Sequence, residues 1–482
     1  MPYLKKIFVL FVTILLSSIF ISNAQEKGRI NPAPIHNNTC TFVKWFDPHT
    51  NDKEGKLLLK NCSSCHMTYY KEWKDDKHSM SQNNPLFLAV YKQFREDHPN
   101  QNGNCALCHN PEAVLNGKDA PVGHLNGDID LRKRNAKKTN GISCDFCHKI
   151  ENVDQDPFKK GVASLKLFRV CKGMKDIRFG PIKDPIQPGK YEELKYNSIY
   201  KTSLVCAKCH DSSNGNVQIY STFTEWINSP AAKRGVQCQA CHMKPTGKNE
   251  IVDNPDIKHK IRPYHQIHSH TFLTNNPHEF RKKYVDMKIA GARRRRAPDN
   301  GHDIITVTTT VSNNNFGHSF PTGSTMRNAI LVIDVKCKDR RGEVTLPLQI
   351  KGSRLPNYAG DLKGKPGKLF AKILSETSGE YAARHGDAGI KFRKIMDKLG
   401  IPAQDWWNVF ILQDTRIKAN ESDISVYEFE IANAEKCSVE VTSTLRWRNT
   451  WPGLAKIKRI KLEEDLLIEK KLEFTPNKPK VS

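Results

Sequence analysis

Cys62-Ser63-Ser64-Cys65-His66 sets two thiols three residues apart and places an imidazole directly after the second. A cysteine pair at this spacing serves a zinc site, a redox dithiol or a covalently attached haem, and the trailing histidine points to the haem. The pattern returns four times, at Cys105–His109, Cys144–His148, Cys206–His210 and Cys238–His242. With this chain's cysteine and histidine frequencies a random arrangement gives roughly 0.015 such motifs, so the five copies are not a product of composition. Zinc knuckles pair two C-x-x-C units and do not require a histidine after each one.

The haem reading assigns ten cysteines to thioether bonds: Cys62, Cys65, Cys105, Cys108, Cys144, Cys147, Cys206, Cys209, Cys238 and Cys241. In each motif two sulfurs reach the vinyl groups of one porphyrin, and the next residue presents its ring nitrogen to the iron. His66, His109, His148, His210 and His242 are therefore the proximal iron ligands. Five covalent c-type haems is the cofactor expectation.

The N-terminus agrees. Lys5 and Lys6 precede an apolar run from Ile7 to Ile21, followed by Ser22-Asn23-Ala24, the pattern of a secretory signal cut after Ala24. The run is short for a membrane span. Attachment of c-type haem takes place outside the cytoplasm, so a periplasmic or cell-surface location follows. The net charge is +25, and haem propionates would lower it by roughly 5 to 10 units. That surface suits acidic redox partner proteins or contact with an anionic membrane surface. The run Arg293-Arg294-Arg295-Arg296 is the best argument for nucleic acid, but an exported haem protein rarely meets any, and no nucleic-acid partner is expected.

Two halves follow different patterns, which predicts an α+β chain. Residues 31–290 are rich in Cys, His, Lys and Asn, with helical stretches over Thr68–Met80 and Thr222–Lys233. They are expected to form a loop-and-helix multihaem domain in which porphyrins replace an aliphatic core. Residues 300–475 carry β-branched and alternating stretches at 303–312, 329–335, 344–350, 408–412, 424–431 and 439–445. These predict a β-sandwich-like domain with a helical insertion over 377–399, the boundary falling at 290–302. Four cysteines are left, Cys40, Cys171, Cys337 and Cys437; a bridge between the last two is one pairing that their shared location suggests.

Eighteen histidines less the five proximal ones leave ample second ligands. His78 lies 12 residues after His66, and a helix between them would carry it about 18 Å away, toward a neighbouring haem. His268 and His270, two apart, point to the same side of an extended segment. His124 sits in the loop PVGHLNG, and His318 in NNNFGHSFPTGS, where Gly317, Pro321 and Gly323 fix an unusual loop. These five are the candidate distal ligands.

The stretches CSSCHMTYYKEWKDDKHS, GISCDFCH and EWINSPAAKRGVQCQACHMKP resemble the multihaem cytochromes of the c-552/c-554 type, and GHSFPTGS with Arg327 after it is similar to a C-terminal β-module of larger exported members. The resemblance covers roughly residues 55–345. It implies an electron carrier with stacked and perpendicular haem pairs, and supports His78, His268 or His270, and His318 as distal ligands. The best-known members carry four haems; this chain has five motifs. Haem number and length also resemble the pentahaem nitrite reductases, but those replace one motif histidine by lysine and every motif here ends in His. The leading expectation is thus an exported pentahaem electron carrier with mostly bis-His irons. The alternative is an oxidoreductase with one open iron acting on nitrite, hydroxylamine or sulfite, and a third class is an oligomer or filament that conducts between subunits.

Overall fold

The computed structural model describes residues 62–475 apart from 98–104, 112–140, 156–160, 169–173, 188–191, 215–216, 255–259, 273–275, 296–301, 315, 377–408 and 433–436. The expected signal segment, the insertion at 377–399, Cys40, Cys171 and His124 lie outside the described residues. Contacts sort the chain into two units. One comprises 1–43 and 169–174, of which only Met174 is described; the other comprises 44–168 and 175–482, and everything below belongs to it.

The motif-bearing half is built from short pieces. Its strands form three separate pairs: β1 (Ile150–Val153) with β2 (Leu165–Leu167), β3 (Asp176–Gly180) parallel to β4 (Glu192–Tyr196), and β5 (Asp211–Asn214) with β6 (Val217–Ser221). The helix expected over Thr68–Met80 ends at Lys74. Asp76 accepts from the His78 amide at 2.8 Å, and Ser79 Oγ donates to the Lys74 and Asp76 carbonyls at 2.9 and 2.8 Å. Side chains thereby satisfy backbone groups that another helical turn would have used. The second expected helix is two, Thr222–Ile227 and Pro230–Lys233. Pro230 has no N–H for a continuing helix, and Ser229 caps the new start by accepting from Ala232.

The strand-rich half begins earlier than residue 300. Strand β7 (Val285–Arg295) pairs along its whole length with β8 (Asp303–Asn313), so the expected boundary at 290–302 contains the end of a strand and its connection. Val285, Met287 and Ile289 alternate inward, while the arginines extend the same strand past the core. The sheet order is β11 (Leu348–Lys351), β15 (Ser422–Ile431), β8, β7. A second sheet runs β10 (Val344–Thr345), β9 (Asn328–Asp339), β16 (Cys437–Arg448), β17 (Glu464–Phe474), with β12 (Gly367–Phe370) also on β9. Strands β13 (Lys372–Glu376) and β14 (Val409–Asp414) pair with each other. The stretch 344–350, expected as one strand, is split at Pro347, and its two parts join different sheets.

Both sheets feed one apolar cluster that includes Met287, Val307, Leu331, Tyr427, Val441 and Leu445, all without exposed surface. Mixed helix and strand is the class the sequence implied. Among the described residues no helix is long and apolar enough to cross a membrane.

Cys337 and Cys437 form a disulfide between β9 and β16, the pairing their location suggested. It closes a loop with a sequence separation of 100, for which chain entropy gives about 4–5 kcal/mol. Replacing both by serine is expected to lower unfolding stability by about 2–5 kcal/mol, read as a reduced denaturant midpoint, while absorbance in the Soret region stays that of the parent.

Candidate functional site

A C-x-x-C-H run fits one turn of helix, in which residues i, i+3 and i+4 share a face. The structure builds most of the motifs this way, with helices at Cys62–Cys65, Ala106–His109, Cys144–His148 and Cys238–His242; in the remaining motif the helix Leu204–Ala207 ends just after Cys206, and Cys209 and His210 follow in a turn. The amides of His66, His109 and His210 bond back to Cys62, Cys105 and Cys206 at 2.8, 3.0 and 3.1 Å. Ser143 caps the third helix by accepting from Phe146 at 3.1 Å. Charges secure that helix further: Arg178 Nε donates to Asp145 at 2.7 Å, and Lys149, wholly buried, bonds Asp176 on β3.

All ten motif cysteines and all five motif histidines line one cavity of about 3150 Å³. A pocket for one small molecule has about 300–1,000 Å³, so this space is suited to several large groups. None of the ten thiols is in a disulfide. Thiols of different motifs lie close together: Cys62 beside Cys144, Cys108 beside Cys209, Cys206 beside Cys238, with Cys147 near Cys206.

The imidazoles are prepared as ligands. His66 Nδ1 faces the Ile251 carbonyl at 2.9 Å, His109 that of Ser81 at 2.9 Å, His148 that of Phe179 at 2.8 Å and His242 that of Phe272 at 2.8 Å. A carbonyl only accepts, so each Nδ1 is the donor and Nε2 keeps a lone pair for a metal. Burial lowers the pKa of His109, His148 and His242, and takes that of His210 to about 3. These rings are neutral at ordinary pH.

Four of the five expected distal histidines are described, and all four line the cavity. Three face a motif ring. His270 lies 6.2 Å from His148 between ring centres with planes at 31°, His318 lies 6.4 Å from His242 at 20°, and His78 lies 6.1 Å from His210 at 73°. Two imidazoles bound on opposite sides of one metal, at about 2 Å each, have centres about 6 Å apart. Burial takes His270 to about 3 and His318 to about 4, so both are neutral. His318 Nδ1 is 3.0 Å from the Ser319 carbonyl, and His78 Nδ1 is 2.8 Å from Asp76. His270 Nδ1 looks toward the His268 carbonyl without reaching hydrogen-bond geometry. The residues present thus fit covalently held haem: paired thiols, neutral imidazoles with a free Nε2, and room for several macrocycles.

The structure separates His268 from His270: His268 Nδ1 is held at 2.5 Å by the Met243 carbonyl. His78 faces the fourth motif and not its own, as expected, but reaches it from a turn rather than a helix. That turn is pinned to the third motif by Ile142, whose amide bonds the His78 carbonyl at 2.9 Å and whose carbonyl accepts from Trp73 Nε1 at 2.8 Å. Beside the first and second motifs stand other rings, Tyr69 at 6.1 Å from His66 and Phe87 stacked at 4.0 Å on His109. Sequence reading missed Asp76, although an acid two residues before a candidate ligand is a readable orienting partner. It had no means of finding the carbonyls of Ile251, Ser81, Phe179 and Phe272, which any residue type supplies.

The glutamate Glu225 anchors the loop of His318. Its carboxylate accepts from the Ser319 amide at 3.1 Å, Thr322 Oγ1 at 2.6 Å, Ser221 Oγ at 2.6 Å and Arg416 at 2.5 Å. Burial alone would raise its pKa, but Arg416 and these hydroxyls bring it down to about 2.

Comparison with known proteins agrees with this geometry. The family described as "Cytochrome c554 and c-prime" matches residues 61–149 and 183–243. The crystal structure of a penta-heme cytochrome c552 from Thermochromatium tepidum superposes with a TM-score of 0.57 at 19% identity, covering 86% of this chain and 97% of that one. A protein described as ApaA from Bordetella pertussis reaches a TM-score of 0.16 at 8% identity, covering 39% of this chain and 91% of its own, too little similarity to carry an argument. No curated protein sequence matches the chain.

Proposed function

We propose that the chain is a multihaem c-type cytochrome with haem iron as its redox centre, and that it is an exported pentahaem electron carrier, relaying electrons between partners through mostly bis-His irons; the match to the cytochrome c554 family over residues 61–149 and 183–243 supports the reading. The observation that carries this is the set of three facing imidazole pairs at 6.1–6.4 Å. An iron filled on both sides has no place for a substrate and changes its surroundings little between oxidation states.

In this reading Cys62, Cys65, Cys105, Cys108, Cys144, Cys147, Cys206, Cys209, Cys238 and Cys241 hold the haems covalently, and the bound irons accept and release single electrons. His66, His109, His148, His210 and His242 are proximal ligands; His270, His318 and His78 complete the third, fifth and fourth sites. His268 and His124 remain the candidates for the first two. The basic surface favours acidic redox proteins as donor and acceptor, with an anionic membrane surface or further copies of the chain as other contacts. The signal-like N-terminus supports a periplasmic or cell-surface place. The sheets of the C-terminal half, sharing one core, support a sandwich-like domain.

The alternative reading is an oxidoreductase with an open iron. Quantified electron paramagnetic resonance of the oxidised protein separates the two. Five low-spin equivalents are expected for the carrier. A whole high-spin equivalent that shifts on adding nitrite or hydroxylamine would move the assignment to the enzyme.

The ring angles give a finer expectation. Near-parallel imidazoles, as in the His148/His270 and His242/His318 pairs, produce rhombic low-spin signals, and the steep His78/His210 pair produces a strongly axial one. His78→Ala should therefore delete an axial component and leave the rhombic ones; loss of a rhombic signal instead would refute that pairing.

A further inference from the structure

Arg178, Arg262, Arg281 and Arg416 each hold a carboxylate, those of Asp145, Asp184, Asp465 and Glu225 among them. Arg327 does not: among the described residues no carboxylate lies within ion-pair reach of it. Its side chain lines the large cavity. It is folded back over its own loop, Nη1 donating to the Thr322 carbonyl at 3.1 Å. Gly323 makes that fold possible, because its φ is +87° and a Cβ there would stand 2.5 Å from Nη1. Burial, and then the charge of Arg281, lower the Arg327 pKa, yet a guanidinium is ionised at any ordinary pH.

Arg327 is exposed to that space, with Glu463 acting on it only at longer range; once haem fills the cavity and takes the water away, a guanidinium there is costly without an anion beside it. The position says where. Arg327 is bonded to the loop that carries His318, which faces His242, and it lines the same cavity as His210, so it stands by the fourth and fifth motifs. A guanidinium presents a fork of N–H donors that matches a carboxylate.

We propose that Arg327 is the seat of a carboxylate, supplied by a propionate of the haem attached at Cys206–Cys209 or Cys238–Cys241. This rests on the reading that both motifs carry haem. A positive charge beside a haem favours the reduced, more negative state, so Arg327 raises the reduction potential of the group it clamps. It is a positioning and tuning residue rather than an iron ligand.

The test is a potentiometric titration of the full five-haem protein and its Arg327→Gln and Arg327→Lys variants, in buffer free of small oxyanions. The haem number of each is checked by mass. In the Gln variant one midpoint potential is expected to shift downward while four stay in place; the Lys variant, which keeps the charge but not the fork, is expected to shift the same one by less. Unchanged potentials in a fully loaded Gln variant would overturn the proposal. If that variant loses haem, the Lys variant decides, and an unshifted potential there overturns it equally. A free oxyanion as occupant has its own signature: the variants match the parent without additives, and added nitrite or sulfite shifts only the parent. That result would reject the propionate. A parent protein whose mass lacks haem at these motifs would instead reject the underlying reading.

Discussion

Alanine at His270 is expected to leave every haem attached while one equivalent of low-spin ferric iron becomes high-spin. Attachment would need the two thioethers of Cys144 and Cys147, which the substitution does not touch, whereas the proposed sixth ligand of that iron would be removed outright. His270 is half-buried among other rings, 4.9 Å from Tyr69 and 6.2 Å from His148 between centres. The same substitution at His318 should act on a different iron, and the double variant should give two high-spin equivalents, because the two ring pairs are separate. Mass spectrometry for haem number and quantified paramagnetic resonance check both. An unchanged low-spin total for either single variant would remove that histidine from the ligand set.

Removing Glu225 should have the second largest effect. With Glu225→Ala, Arg416 stays largely buried, its side chain 8% exposed. Breaking one partner from a buried ion pair costs about 3–5 kcal/mol. Arg416 keeps Asp414, so the low end, about 3 kcal/mol, is expected as a loss of unfolding stability. The Ser319 amide and Thr322 hydroxyl lose their acceptor as well, and the His318 loop loosens. High-spin signal should appear in the fifth haem alone, and Glu225→Gln, which keeps an oxygen acceptor, should restore much of the low-spin form. Acid tests the same contact. The folded pKa, about 2, is depressed from 4.5, so its stabilisation is complete above about 4.5 and fades as pH falls toward 2. The Gln variant should lack that slope.

Much of this was legible in the sequence, and the reasons are local. The five C-x-x-C-H runs are self-contained, since one helical turn brings their ligands together whatever surrounds it. Alternation exposed β8, β9, β15 and β16, whose inward residues are β-branched or aromatic. It failed at β7, where Val285-Asp286-Met287-Lys288-Ile289 does alternate but runs into Gly291 and three arginines that resemble a linker. It failed at Pro347 because one missing N–H outweighs good strand propensity on both sides. The distal ligands were only partly legible. His268 and His270 share a spacing that invites equal treatment, and what separates them is that His270 faces the His148 ring, a placement that depends on distant chain. The sequence marks Arg327 only as the arginine that comes after GHSFPTGS; that it has no ion-paired carboxylate among the described residues came from the structure.

The sulfur contacts described above give the motifs a particular wiring. The first joins the third, the third joins the fourth, and the fourth also joins the second and the fifth. A linear wire has two ends and is severed by a cut anywhere along it. This arrangement is a three-armed junction with tips at the first, second and fifth motifs. In the proposed five-haem carrier, disabling a tip would leave the other four haems in communication, whereas disabling the fourth would divide the protein into three isolated pieces. Three tips would also let one donor supply two acceptors, or two donors converge on one.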